Sequence, residues 1–194
     1  QNELFARLRL SHALLFTSQG IVFMQAGQEN ARTKPKDSLH KTDFSDIHGN
    51  FVKNSYKASD TINQFSWALD EQRKKLNDFV RNLIVLRKTF LHFRLHTKDL
   101  VESSIEYLQS QSSDLLLAYK IHLEALGIDE VCYLIFNARK TISSIELDID
   151  FSKAKVYVQG EKASLEPFSF EQKDYDQGKL EVAPLSAVIF FVSE

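Results

Sequence analysis

The sequence predicts an α/β segment followed by an all-β antiparallel sandwich. Three observations predict it: two long amphipathic helical patterns in the first half, a short continuous apolar run between them, and a succession of strand-like runs after about residue 95.

Residues 2–19 carry the first helical pattern. Leu4, Phe5, Leu8, Leu15 and Phe16 recur at three- and four-residue spacing, and Leu10, Ala13 and Leu14 widen the apolar side. A helix apolar around so much of its circumference expects burial on more than one side. Gly20 is placed to end it in a left-handed cap. The run Ile21-Val22-Phe23-Met24 follows, bounded by Gly20 and Gly27, and fits a strand buried on both faces. One strand makes no sheet, so its partners are expected outside this chain. The chain opens within a helical pattern and without Met, which suggests a boundary inside a longer protein.

From Ala26 to about Asp60 the periodicity dissolves into a polar, turn-rich stretch. A loop this long inside a compact domain is usually functional or disordered, and its aromatic and amide content (Phe44, Phe51, Tyr56, Asn50, Asn54) favours functional. The second helix is expected over about 68–91, with Asp70 and Glu71 in its first turn and Arg87 and Lys88 near its end, all favourable to the helix dipole. Leu69, Leu76, Phe79, Val80, Leu83, Ile84 and Leu86 supply its apolar stripe.

A short helical turn near Lys98–Ser103 leads into strand-like runs at 105–108, 115–123, 131–136, 142–147, 155–158, 179–182 and 187–192. Gly127, Gly160, Pro167 and Gly178 punctuate them. The boundary between the two parts is set near residue 95, giving 1–94 and 95–194.

Composition narrows the function. Hydrophobic residues are 43% and charged residues 26%, an ordinary globular balance with 15 Phe to fill the core. A net charge of −2 gives no general attraction to nucleic acid or to an anionic membrane. No apolar run approaches the roughly 18 residues that span a bilayer. The single cysteine, Cys132, lies in an apolar strand-like run and reads as an inert core thiol.

A resemblance rests on residues 18–67. Ser18-Gln19-Gly20-Ile21-Val22-Phe23-Met24-Gln25-Ala26-Gly27-Gln28-Glu29 resembles the segment closing the eighth strand of the alpha-amylase superfamily barrel, with Val22 where a proline is usual. Arg32-Thr33-Lys34, Asn54-Ser55-Tyr56 and Asp60-x-x-Asn63-x-x-x-Trp67 are similar to type I pullulanases, as are Leu83-Ile84-x-Leu86-Arg87-Lys88 and Phe93-Arg94. The resemblance implies that residues 1–94 are the end of a (β/α)8 catalytic barrel (a TIM barrel) and 95–194 a C-terminal sandwich. The implied activity is hydrolysis of α-1,6 linkages in pullulan, glycogen or amylopectin, the debranching of starch. In that family the catalytic carboxylates stand on the fourth, fifth and seventh strands, which would lie ahead of Gln1, so this chain alone is expected to be inactive. The retaining reaction needs two carboxylates about 5–5.5 Å apart.

The long loop after the last strand would form one wall of the substrate cleft, since barrel active sites lie at the strands' C-terminal ends. Asp60 and Asn63 match a superfamily position that hydrogen-bonds a glucose unit, and a carboxylate with an amide suits vicinal diols. The plainer alternative for Asp60 is a helix N-cap. Asn54 and Tyr56 are candidates for the same wall. Gln28 and Glu29 are expected to brace neighbouring loops, with Arg32 paired to one of them. Trp67 is read as structural packing in preference to sugar stacking.

No metal is assigned: His92 and His96 are four apart but have no third ligand, and Asp43, Asp46 and His48 lack regular oxygen-ligand spacing. No cofactor is required, calcium being compatible with the complete enzyme only. The expected partner is an α-glucan, without nucleic acid or membrane, and uncovered barrel faces predict self-association. The competing readings are a glycogen-debranching or branching enzyme, or a non-catalytic carbohydrate-binding module. Compartment is left open.

Overall fold

The computed structural model describes residues 3–36, 51–52, 54–109 and 115–193. Its helices are α1 (Glu3–Thr17), α2 (Asp60–Asn63), α3 (Glu71–Thr89) and α4 (Lys98–Ser104). Its strands are β1 (Ile105–Gln109), β2 (Leu116–Leu123), β3 (Ile128–Asn137), β4 (Ser143–Glu146), β5 (Lys155–Gln159), β6 (Lys162–Phe168), β7 (Tyr175–Asp176), β8 (Lys179–Val182) and β9 (Ser186–Ser193).

Six strands form one antiparallel sheet in the order β1-β2-β3-β9-β5-β6, and β4-β8-β7 form a smaller antiparallel sheet. The helices precede these sheets in the chain, and α1 and α3 cover one face of the larger one. β3 shows how the layers are cemented. Its Cys132, Leu134 and Phe136 point into the helix-side core, while Val131, Tyr133 and Ile135 point into the core between the sheets. β9 repeats the alternation, with Ala187, Ile189 and Phe191 on the helix side and Val188, Phe190 and Val192 on the other. Period-two geometry with both faces apolar is why these strands read as unbroken apolar runs. A register shift between Val156 and Val158 in β5 lets Tyr157 and Val158 both reach the helix side. The helix-side core runs continuously across residue 95.

Ile21–Met24 is extended and, in line with partners outside this chain, pairs with no strand among the described residues, and Ile21 and Phe23 are each 85% exposed. Only Val22 and Met24 pack against the core. The helix α1 buries Phe5, Ala6, Arg9, His12, Ala13, Phe16 and Thr17, while Leu4 and Leu14 face outward. The burial of Arg9 and His12 rotates the inner face away from the leucine stripe. The helix ends at Thr17, and Gly20, three residues on, takes φ +88. In α3, Asp70 stands outside the first turn as N-cap, its carboxylate accepting the Arg73 backbone N–H at 2.9 Å. The sequence also missed β6 and β7. The β6 strand KASLEPF is mostly exposed, carries charges and Pro167, and lies at the sheet edge, where alternation is not imposed.

Candidate functional site

The segment from Ser18 to Arg32 is fixed by contacts at its two ends. At the first, the Arg87 guanidinium donates to the carbonyls of Phe16, Ser18 and Gly20 at 2.7–2.8 Å, pinning the exit from α1. The Phe16 carbonyl is one that the helix end leaves unpaired, so a cation there satisfies both hydrogen bonding and the dipole. Gln19 clamps the same exit, donating to the His92 carbonyl at 2.7 Å and accepting the Leu95 backbone N–H at 3.0 Å.

At the second end the chain makes a tight turn. Gly27 has φ +92, and its carbonyl accepts the N–H groups of Asn30 at 3.0 Å and Arg32 at 2.9 Å. Glu29 closes the turn from its side chain, accepting the Gly27 N–H at 2.9 Å. Asn30 is buried and accepts from Asn77 of α3 at 2.6 Å, which ties the turn to the helix layer.

Arg32 then joins this turn to the α2 segment. Its guanidinium donates to the Asn63 carbonyl and, at 3.2 Å, to the Ala26 carbonyl, and it lies 4.0 Å above the Phe65 ring. The expectation that Arg32 pairs with Gln28 or Glu29 is therefore corrected. Backbone carbonyls and an aromatic face take the charge instead. Between the turn and residues 61–73 lies a cavity of about 500 Å³, lined by Asn30, Arg32, Thr33, Gln64, Phe65 and Arg73 among others. A neighbouring cleft of about 320 Å³ includes Gln28, Lys34 and Phe51 in its lining.

The remaining candidates stand as follows. Asn54 makes a local turn, its Oδ1 accepting the Tyr56 backbone N–H at 3.1 Å. Tyr56 is 88% exposed. Asn63 spends its amide on the Ser55 and Ala58 carbonyls, at 2.9 and 3.1 Å, so it braces the loop. Asp60 is the exposed first residue of α2 and so starts a short helical turn, as the plainer alternative held, with the cap position itself one residue earlier at Ser59. Lys34 donates to Ser55 Oγ at 2.5 Å and so links the start of the long loop to its end. Trp67, expected to pack, is instead 82% exposed and stacks on Phe65 with centroids 5.8 Å apart.

Sequence reasoning missed Asn30, Asn77 and Phe65 as elements of this site. Only the Asn30 side chain carried a signal, being an amide directly after a glycine turn.

Among the described residues no group of three or more metal-ligating side chains converges. His92 is buried with Nε2 hydrogen-bonded to the Glu130 carbonyl at 2.9 Å, and His96 is exposed on the far side of the 3-10 turn Leu91–Phe93. Asp43, Asp46 and His48 lie outside the described residues. No helix is long and apolar enough to cross a membrane among the described residues.

No protein-family profile matches the sequence. The chain is 33% identical to the pullulanase of Bacillus subtilis strain 168, over 65% of this chain and 15% of that protein. It is 28% identical to pullulanase A of Streptococcus pneumoniae serotype 4, over 61% of this chain and 12% of that protein. The Group B Streptococcus pullulanase SAP superposes with TM-score 0.83 at 24% identity, covering 98% of this chain and 28% of that one. The pullulanase from Bacillus acidopullulyticus superposes with TM-score 0.75 at 26% identity, covering 96% of this chain and 20% of that one. The chain spans about an eighth to a seventh of the curated relatives it matches. In sequence over much of its length and in fold over nearly all of it, this chain is similar to one part of the pullulanases.

Proposed function

We propose that this chain is a segment of a pullulanase-type debranching enzyme, which cleaves α-1,6 linkages in pullulan, glycogen or amylopectin. Residues 1–94 are the end of its catalytic barrel and 95–194 its sandwich domain. The catalytic carboxylates stand in parts of the enzyme outside these 194 residues.

The observation that carries this reading is the cavity between the Gly27–Arg32 turn and the α2 segment. It places Gln64, Thr33 and Arg32 around a polar cleft, directly after the extended run Ile21–Met24. On this reading the cleft is one wall of the glucan site. Asp60 and Tyr56, both exposed, reach sugar hydroxyls and a pyranose face, while Asn54, Asn63, Glu29 and Arg32 hold the loop in shape. Gln28, half-buried in the neighbouring cleft, completes the brace. Related enzymes bind such ligands: the Group B Streptococcus pullulanase SAP is known in complex with maltotetraose, and the Bacillus subtilis type I pullulanase in complex with maltose.

The same reading makes the isolated chain self-associate, because Ile21 and Phe23 leave two large apolar side chains in water. Sedimentation of the isolated chain as a monodisperse monomer would count against that part.

The deciding experiment is release of maltotriose from pullulan by the complete enzyme beside the isolated chain. An active enzyme and a silent chain are expected. An enzyme that makes no maltotriose removes the debranching assignment, and a chain that cuts pullulan by itself removes the placement of the carboxylates.

A further inference from the structure

Trp67 is the single tryptophan of the sequence, and its placement departs from what a tryptophan ordinarily does. Indole rings are costly to leave in water, since each carries a large apolar surface. Trp67 is nonetheless 82% exposed.

It is exposed but not loose. The ring stacks on Phe65 at an interplanar angle of 21°. Phe65 is in turn held by the Arg32 guanidinium, 4.0 Å from its centroid. Arg32 is anchored by the Ala26 and Asn63 carbonyls. The result is a chain of planar groups, guanidinium to phenyl to indole, that fixes the orientation of an outward-facing ring. Phe65, Ser66 and Ala68 line the 500 Å³ cavity, and the indole, which does not itself line it, stacks on Phe65 beside it.

We propose that Trp67 is a sugar-stacking platform, taking the apolar face of a pyranose unit of an α-linked glucan that enters this cavity. The inference rests on the glucan-wall reading above and names a contact that reading does not contain. The surroundings favour a sugar over a dry protein surface. Gln64, Ser66, Asp70 and Arg73 make the neighbourhood polar, and the aliphatic side chains of Ile62 and Leu69 in the cavity lining are half-buried. A pyranose suits both features: its axial C–H groups meet the electron-rich indole face, while its equatorial hydroxyls meet the polar rim. Preorientation by Phe65 spares the entropy of immobilising the ring on binding.

The test is the affinity of the complete enzyme for maltotetraose by calorimetry, with thermal midpoints recorded, for Trp67→Ala, Trp67→Phe and Asp60→Ala. The proposal expects Trp67→Ala to weaken binding roughly tenfold. Trp67→Phe should stay within about threefold, because it keeps an aromatic face. The midpoint should not move in either variant. Unchanged affinity in Trp67→Ala beside weakened binding in Asp60→Ala overturns the stacking role and leaves the wall reading standing. Unchanged affinity in both overturns the two together. A fall of several degrees in the Trp67→Ala midpoint with affinity intact assigns the indole to packing against another part of the enzyme, and also overturns the proposal.

Discussion

Arg9 of α1 and Glu161 of the β5–β6 turn lie 152 residues apart and meet at 2.5 Å, Nη2 to Oε1. The arginine is almost wholly buried and the glutamate more than half exposed. Burial by itself holds the guanidinium below its ordinary value, and the Glu161 charge and hydrogen bond work against that. Asn82 of α3 reinforces the contact, donating to the Ala163 carbonyl at 2.7 Å. The β5–β6 hairpin is thereby fastened to both long helices.

Removing the glutamate leaves a buried cation without its partner. Glu161→Ala should cost about 1–3 kcal/mol, between the values for exposed and for buried pairs, because Glu161 itself keeps much of its water. Urea unfolding measures it. A change within about 0.5 kcal/mol would show that solvent already satisfies Arg9.

The Asn77–Asn30 hydrogen bond is the link between α3 and the turn at the cavity. Asn77→Ala strands the buried Asn30 amide oxygen and should cost about 1–2 kcal/mol. Faster amide exchange at residues 28–32 should accompany it, since their turn loses its anchor. Exchange unchanged there would mean that the Gly27 turn holds itself.

Gly27 is required twice over. Its φ of +92 disfavours any side chain, and an added Cβ would come within 2.6 Å of Arg32 Cδ and 2.8 Å of Phe65 Cε1. Gly27→Ala should therefore displace the Arg32–Phe65 stack and cost about 1–3 kcal/mol. In the complete enzyme, maltotetraose binding should weaken with it. A variant of unchanged stability and affinity would refute the tight packing at this turn.

Two buried histidines should make the fold less stable in acid. Burial lowers the affinity of His12 and of His92 for protons, opposed by their bonds to the Leu8 and Glu130 carbonyls. The charges of Glu29 near His12 and of Glu130 near His92 also favour protonation. Because the folded values lie below the unfolded one, the unfolded chain takes up protons first. The stability contributed is fully present above about pH 6.5 and is lost as pH falls below it. The urea midpoint should fall between pH 7.5 and 5.5, and His12→Gln should flatten that fall. An equally steep fall in His12→Gln would exclude His12 as a source.

Cys132 is fully buried in β3, and desolvation pushes its thiol well above the ordinary value. It should resist a thiol reagent until the chain unfolds, so the labelling rate should track denaturant concentration. Rapid labelling in native buffer would show that the helix layer opens.

The central strands were legible because β3 and β9 are apolar on both faces, leaving an uninterrupted signal in the sequence. The edge strand β6 was not: it is exposed on most positions, so nothing in its residue order enforces a period of two. The face of α1 was misread for a different reason. Leucine spacing locates an apolar stripe, but the tertiary partner Glu161 draws Arg9 inward, and His12 follows on the same side. At the candidate site the sequence motifs fall on the segments that line the two clefts. The partners of Arg32 escaped, because two of them are backbone carbonyls, which every residue carries. The exposure of Trp67 escaped as well, since an aromatic before a helix reads as packing when nothing else is known.

The most direct test of the glucan-wall account is kcat/KM for pullulan in the complete enzyme against its Asp60→Ala variant. The account predicts a fall of about 10- to 100-fold with the fold intact, as expected when a buried sugar hydroxyl loses a charged acceptor. Equal kcat/KM in the two enzymes would contradict it, because the exposed carboxylate at the start of α2 would then touch no substrate.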